Sequence, residues 1–205
     1  MKKHNIMLAT GVVSAGIMLT GCGTMPTRIN PEGNQGITTT DDINFKDWQI
    51  AAEKAVNSML KSGALKRPDG RKNIIMISTV KNSTTQHINT QILTSKIRQA
   101  VLRSGLAMTT TAVSAKGAED KATRQVRKLS DDEMFNQKTV QKNGTAIAPD
   151  MSLAGEIIQQ KASQGRLKQS YFFFHLTLTD LKTGLAVWED NVEIAKQSKK
   201  SAIGW

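Results

Sequence analysis

The sequence predicts an α/β (α+β) sandwich, in which helices flank a mixed β-sheet. Helical and strand patterns alternate in the first half of the chain, and three strand patterns joined by turn signals follow near its end. Alternating elements favour helices packed on a sheet, whereas the late run favours antiparallel hairpins. We expect one globular domain over residues 45–205, which is long enough to build a core without disulfide bonds.

The first helix and the first strand have clear local signals. Asn44 is placed to cap a helix whose apolar residues recur at helical spacing as far as the breaker Gly63. Residues 73–80 are continuously apolar and rich in β-branched side chains. This pattern is typical of a central strand covered on both faces. A polar loop is expected over residues 81–87.

The middle of the chain predicts a second helix, a short strand and a third helix. Apolar residues mark an amphipathic helix from Ile88 that is closed by Gly105. Residues 106–113 are rich in threonine and suit a short edge strand. Residues 118–137 place basic side chains at helical spacing, which predicts a helix with a basic face. That face either meets an acidic partner or is ordinary solvated surface.

The C-terminal third predicts a β-meander. Residues 153–160 form one candidate strand and residues 171–179 form a second with strong β propensity. Residues 180–184 carry turn signals, and residues 185–194 return as a third strand.

The N-terminus has the pattern of an export signal. Lys2 and Lys3 precede an uncharged, mostly apolar stretch that is short for a permanent membrane span. It ends in Leu-Thr-Gly-Cys at residues 19–22, which resembles the lipobox of bacterial lipoproteins. The resemblance implies a signal peptide over residues 1–21 and acylation of Cys22. The alternative is that Cys22 is an ordinary buried residue.

Residues 22–44 are rich in glycine, threonine, asparagine and proline and have no apolar period, so we expect a flexible tether after the lipidated cysteine. In the lipoprotein sorting pathway that this signal resembles, aspartate after the cysteine retains a protein in the inner membrane. Here that position is Gly23. We therefore expect a chain lipid-anchored in the outer membrane and facing the periplasm.

The formal net charge is +11, which in an exported chain points to envelope partners. Anionic headgroups, acidic wall polymers and acidic protein surfaces are the charges available there, although the excess could serve solubility alone. We expect no nucleic acid, because few aromatic residues interleave with the basic ones.

No pattern of a catalytic, metal-binding or cofactor-binding site is found in the sequence. Of the three histidines, His4 leaves with the signal, His87 falls in a predicted loop and His175 in a predicted strand. No nucleophile motif or phosphate-binding loop is found, and the carboxylates at 131–133 and 189–190 read as surface charge. We expect no enzyme activity, no cofactor, no metal and no small-molecule substrate.

Four segments in order resemble the LpoB family of lipoprotein activators of penicillin-binding proteins. They are the strand 74–80, the loop Lys81-Asn82-Ser83-Thr84, the helix end 100–105 and the hairpin 181–188 with its Thr-Gly-x-x-x-Trp pattern. The resemblance covers roughly residues 45–196. It implies a fold like the TolB N-terminal domain and a contact with the docking domain of a class A penicillin-binding protein. That contact would activate peptidoglycan synthesis allosterically.

The partner surface is expected near Asn82, Ser83 and Thr84 and the adjacent helix start, where an apolar or aromatic centre would anchor it. The alternative is that Asn82 only closes a turn. The tether is also shorter than the long proline-rich linker of familiar family members.

Two other functions stay open from the sequence. One is a structural secretion lipoprotein resembling CsgG, although the chain leaves little room for membrane-spanning hairpins besides this domain. The other is an enzyme acting on peptidoglycan, for which no acid or base can be placed.

Overall fold

The computed structural model describes residues 29–30, 42–114 and 119–199. Within them a five-stranded sheet carries two long helices on one face. The elements in chain order are α1 Phe45–Ser62, β1 Asn73–Ser83, α2 Thr90–Ser104, β2 Ala107–Thr109, α3 Ala122–Gln125, a 3-10 helix Val126–Asp131, β3 Met151–Gln164, β4 Leu167–Asp180 and β5 Ala186–Lys199.

The sheet is mixed, with strand order β2-β1-β3-β4-β5. β1 pairs in parallel with both β2 and β3, while β3, β4 and β5 form an antiparallel meander. The predicted fold class, the central position of β1 and the C-terminal meander are confirmed. Because β1 and β3 are parallel, their C-terminal ends lie at the same end of the sheet.

α1 begins and ends at the predicted residues, whereas α2 begins at Thr90, two residues later than the predicted start at Ile88, and ends at Gly105 as predicted. Asn44 and Asp47 form a reciprocal capping box at the start of α1, and Gly63 ends it in the left-handed conformation with φ of 78°. Asn89 caps α2 by accepting a hydrogen bond from the backbone of Gln91, and Gly105 ends that helix.

The core lies between this helical layer and one face of the sheet. Trp48 of α1 meets Phe174 of β4 edge to face, with ring centroids 5.4 Å apart and an interplanar angle of 84°. Along β1, Ile75 and Ile77 are buried whereas Ile74 and Met76 are only half-buried. The expectation that β1 is covered on both faces is therefore wrong, because the long helices pack on one face only.

Several predicted boundaries differ from the structure. The three strands of the meander are longer than the predicted 153–160, 171–179 and 185–194: β3 and β4 gain residues at both ends, and β5 extends to Lys199. β1 continues through Ser83, so the loop begins three residues later than expected. The edge strand β2 is shorter than residues 106–113. The long basic helix over residues 118–137 is wrong: α3 has four residues and a short 3-10 helix follows. The large apolar residues Met134 and Phe135 of this stretch do not reach the core, since they are 79% and 37% exposed. A helix without a buried stripe gains little from packing.

Asn143 and Gly144 lie in a turn, with Gly144 at φ of 80°. The signal peptide 1–21, Cys22 and the tether up to residue 41, apart from residues 29–30, lie outside the described residues. Their assignments stay predictions. Among the described helices, none combines the length and the hydropathy needed to span a bilayer.

Candidate functional site

Asn82 organises the turn that follows β1. Its Nδ2 donates to the Gln86 carbonyl at 2.8 Å, and its Oδ1 accepts from the Thr84 backbone N–H at 3.1 Å and from the Thr84 hydroxyl at 2.8 Å. Backbone groups in a loop have no neighbouring strand to bond. A side-chain amide can supply hydrogen bonds to them instead. Asn82 therefore links the two sides of this loop through its own hydrogen bonds, and its role towards a partner stays a prediction.

Ser83 and Lys81 tie the end of β1 to β3. The Ser83 hydroxyl donates to Glu156, and the same carboxylate accepts from Lys81 Nζ at 2.9 Å. These contacts lower the pKa of the Glu156 carboxyl, the Ser83 hydrogen bond contributing most and the Lys81 bond next. The carboxylate therefore stays ionised at neutral pH and fixes the last residues of β1.

The loop beyond Thr84 is held from both sides. The Thr85 backbone N–H and hydroxyl donate to Gln159 at 3.1 and 2.9 Å. Gln86 donates to the carboxylate of Asp42 and accepts from the backbone N–H of Ile43, next to the start of α1. The loop thus connects β3 with the segment through which the chain enters the domain.

A groove of about 570 Å³ lies between the C-terminal half of β1 and the start of α2. Apart from Val80 and Ile88, polar side chains line it. Two exposed apolar residues flank this region: Ile158, the register partner of Ser83, is 42% exposed, and Ile92 in the first turn of α2 is 44% exposed. The groove itself is lined by Ser78, Thr79, Val80, Lys81, Asn82, His87, Ile88, Asn89, Thr90, Gln91 and Thr94.

An apolar or aromatic centre was expected for the partner surface, but the groove is lined mainly by polar side chains. Among the described residues that line the groove there is no Phe, Tyr or Trp. Phe45 at the start of α1 is 40% exposed and carries Lys96 of α2 over its ring at 5.4 Å. The groove itself presents mainly polar, hydrogen-bonding side chains.

A shift in the register of β1 falls where this strand lines the groove. The pairing with β3 shifts between Ile77 and Val80, so that Val80 lies opposite Gly155. Such a bulge twists the strand and re-aims the side chains beyond it. A Cβ on Gly155 would overlap the carbonyl oxygen of His175 and the side chain of Leu176 on β4. Glycine therefore allows the close approach of β3 and β4 at this level.

The structure places the three predicted partner-binding residues together at one end of the sheet. Sequence reasoning missed Glu156, which accepts from Ser83, and Gln159, which accepts from the following residue Thr85. No local pattern marks these residues, because Glu156 is 73 positions from Ser83 and the pairing depends on strand order. Cys22, the predicted acylation site, lies outside the described residues.

Of the histidines considered from the sequence, His87 lines this groove, whereas His175 is not among its lining residues. His175 Nε2 faces Glu189 on the open face of the sheet at 3.8 Å, and its neighbour Thr177 lies 3.3 Å away. In the described part of the chain, no three His, Cys, Asp or Glu side chains come together as a metal site would require.

The described residues thus form an α+β domain with a polar groove beside the loop after β1. A sequence profile described as peptidoglycan-synthase activator LpoB matches residues 47–194, most of the chain. The chain therefore belongs to the LpoB family of peptidoglycan-synthase activators. This family is one of regulators, and the match favours it over the CsgG-like alternative. No curated protein matches the sequence.

Solved structures of LpoB proteins are among the similar ones. The LpoB C-terminal domain from Salmonella enterica is 14% identical, with 72% of this chain and 98% of that chain covered and a TM-score of 0.41. The domain from Escherichia coli is also 14% identical over 72% and 98%, with a TM-score of 0.39. The NMR structure of E. coli LpoB is 13% identical over 93% and 89%, with a TM-score of 0.38.

Proposed function

We propose that this chain is a periplasm-facing lipoprotein of the outer membrane that binds and allosterically activates a class A penicillin-binding protein. Acyl chains on Cys22 hold it on the membrane, and the Asn82-Ser83-Thr84 loop with its groove contacts the docking domain of the synthase. The chain acts as a regulator, by binding the active conformation of the synthase more tightly than the inactive one.

The observation that carries this proposal is the ordered loop in a chain of this family. The hydrogen bonds of Asn82 and Glu156 fix the loop before any partner arrives. A preformed surface loses less conformational entropy on binding than a mobile loop does. Loops positioned by a rigid sheet are also the usual carriers of binding residues.

The experiment is capture of the synthase by the acylated full-length protein, followed by a glycan-polymerisation assay with the captured enzyme. Ser83→Arg places a bulky cation on the exposed end of β1, where the guanidinium can still pair with Glu156. We expect it to weaken capture and stimulation by tenfold or more, because a clash in a docking surface acts directly on the complex.

Thr183→Arg is the matched control, since Thr183 is exposed in the β4–β5 turn at the opposite end of the sheet. It adds the same side chain and should leave capture and stimulation unchanged. Equal binding by both variants would exclude the loop as the docking surface. Failure of the unaltered protein to stimulate any synthase would refute the function itself.

A further inference from the structure

The β3–β4 hairpin extends past the core at the end of the sheet that carries the candidate site. Ser170 of β4 is the last buried residue on this hairpin, at 3% exposure, and it lies opposite Lys161. The residues from 162 to 168 are all exposed. Three residue pairs and a turn beyond Ser170 project roughly 10 Å at the rise of a β-strand.

This projection is basic. Lys161, Arg166 and Lys168 lie on the hairpin, and Lys199 of β5 is the register partner of Leu167; we call these four cations the basic tip. The sequence has no Asp or Glu between Glu156 and Asp180. Among the ion pairs of the described residues, none involves a member of the basic tip. The positive charge is therefore not compensated locally.

The chain enters the domain beside the basic tip. Lys196 of β5, opposite Ser170, donates from Nζ to the backbone carbonyl of Asp42 at 2.6 Å. Gln86 holds the Asp42 side chain from the loop after β1. Residue 42 is thus fixed at the hairpin end of the sheet, and the chain from Cys22 to Asp42 reaches at most about 70 Å.

We infer that the basic tip contacts the anionic phospholipid headgroups of the bilayer that carries the anchor. This inference relies on the proposed function only for the acyl chains on Cys22. The anchor holds the domain close to one membrane, and the entry point at Asp42 lies at the end of the domain that carries the tip. Leu167, 39% exposed between two cations, adds an apolar side chain at the tip.

The expected strength follows from the charges. Each Lys or Arg near an anionic membrane surface strengthens binding about fivefold. Tethering turns this weak contact into an intramolecular one with a high effective concentration, so several cations suffice. The Asn82 loop lies at the same end of the sheet as the tip. The bilayer and the synthase therefore compete for this end of the domain.

The test uses the acylated full-length protein in lipid nanodiscs. Cys22 is the single cysteine of the chain, and acylation blocks it, so Gln164→Cys at the hairpin end provides a unique thiol for a fluorophore. Thr183→Cys provides the same label at the opposite end of the sheet. Quenching by a headgroup nitroxide is measured in phosphatidylcholine discs with and without phosphatidylglycerol.

We expect quenching at Gln164 in the anionic discs only, and none at Thr183 in either kind of disc. Lys161→Glu, Arg166→Glu and Lys168→Glu together should reduce the membrane-contacting fraction tenfold or more. The control changes the same number of charges at exposed lysines of the opposite end, by Lys61→Glu, Lys72→Glu and Lys182→Glu, and should change the fraction less than threefold.

Three results would overturn the inference: no quenching at Gln164 in anionic discs, equal quenching in neutral discs, or equal loss in both triple variants. A Gln164 label that responds to added synthase in neutral discs but not to anionic lipid would assign the tip to an acidic protein surface instead. Mass spectrometry of Cys22 and the glycan-polymerisation assay on the same samples report failure of the proposed function separately.

Discussion

Replacing Asn82 with alanine removes three hydrogen bonds from the turn after β1. The lost contacts are those to the Gln86 carbonyl at 2.8 Å, the Thr84 N–H at 3.1 Å and the Thr84 hydroxyl at 2.8 Å. A typical hydrogen bond contributes about 1 kcal/mol net, and water replaces part of that at a half-buried position. We expect the free energy of unfolding to fall by about 2 kcal/mol.

Urea denaturation of the wild-type protein and the variant measures this difference. Asn82→Asp is the control, because it keeps the oxygen that accepts from Thr84 and loses the donor to Gln86. It should lose about 1 kcal/mol, which is intermediate. A difference below about 0.5 kcal/mol for Asn82→Ala would mean that these bonds do not hold the turn.

The same variant separates the two roles of Asn82. Thr84→Val removes one hydrogen-bond partner of Asn82. If Asn82 acts only by shaping the loop, Thr84→Val should weaken synthase binding, and its effect should depend on whether Asn82 is present. A double-mutant cycle of Asn82→Ala and Thr84→Val then gives a coupling energy of 0.5 kcal/mol or more, whereas independent contacts to the synthase would add.

Two further predictions concern the frame of the loop. Gly155→Ala should lower the free energy of unfolding, measured by urea titration, by about 3 kcal/mol. The added methyl group meets the backbone of His175, and no rotamer change can relieve that clash. A loss under about 1 kcal/mol would contradict the close approach of the two strands. The Glu156 carboxyl should titrate below the ordinary pKa of glutamate when followed by NMR, and Ser83→Ala should raise its midpoint. Because the pKa is lowered in the folded state, this contribution to stability is present above the unfolded pKa and is lost as pH falls through the folded one; an unchanged midpoint in Ser83→Ala would show that the hydroxyl is not the main cause.

Local signals in the sequence predicted the elements whose ends are set by neighbouring residues. The capping box at Asn44, the left-handed Gly63 and the apolar run of β1 all act over a few positions. The same kind of signal failed for residues 118–137, where helical spacing was present without a surface to bury it. Met134 at 79% exposure shows that periodicity alone does not make a stable helix.

The frame of the candidate site could not be predicted from local patterns, since it is built from distant residues. The bulge in β1 and the need for glycine at position 155 depend on where β4 runs relative to β3. Likewise, Glu156 supports the loop only because it accepts a hydrogen bond from Ser83. That contact follows from the parallel pairing of β1 and β3, which are far apart in the sequence. The family resemblance predicted the loop, whereas the residues that hold it, Glu156 and Gln159, could be identified only from the fold.

The two ends of the sheet differ in a way that bears on function. At the end opposite the loop, Arg67 bridges Asp69 and Asp150 at 3.0 Å each, and Asp150 also accepts from the backbone N–H of Ile74 at 3.0 Å. Arg67 lowers the pKa of Asp69 most strongly. The buried Asn73 completes this network by bonding the Leu65 carbonyl at 3.0 Å.

These charges pair with one another, although exposed lysines such as Lys72 and Lys182 also lie at that end. The loop end combines a held turn, an open groove, the entry of the chain and a set of cations outside the ion pairs of the described residues. Binding energy comes from groups that exchange water for a partner. Arg166, Lys168 and Lys199 of the basic tip are exposed, while Lys161 donates from Nζ to the Thr85 hydroxyl at 3.1 Å. Our two proposals therefore place the contacts with the synthase and with the membrane at the same end of the domain.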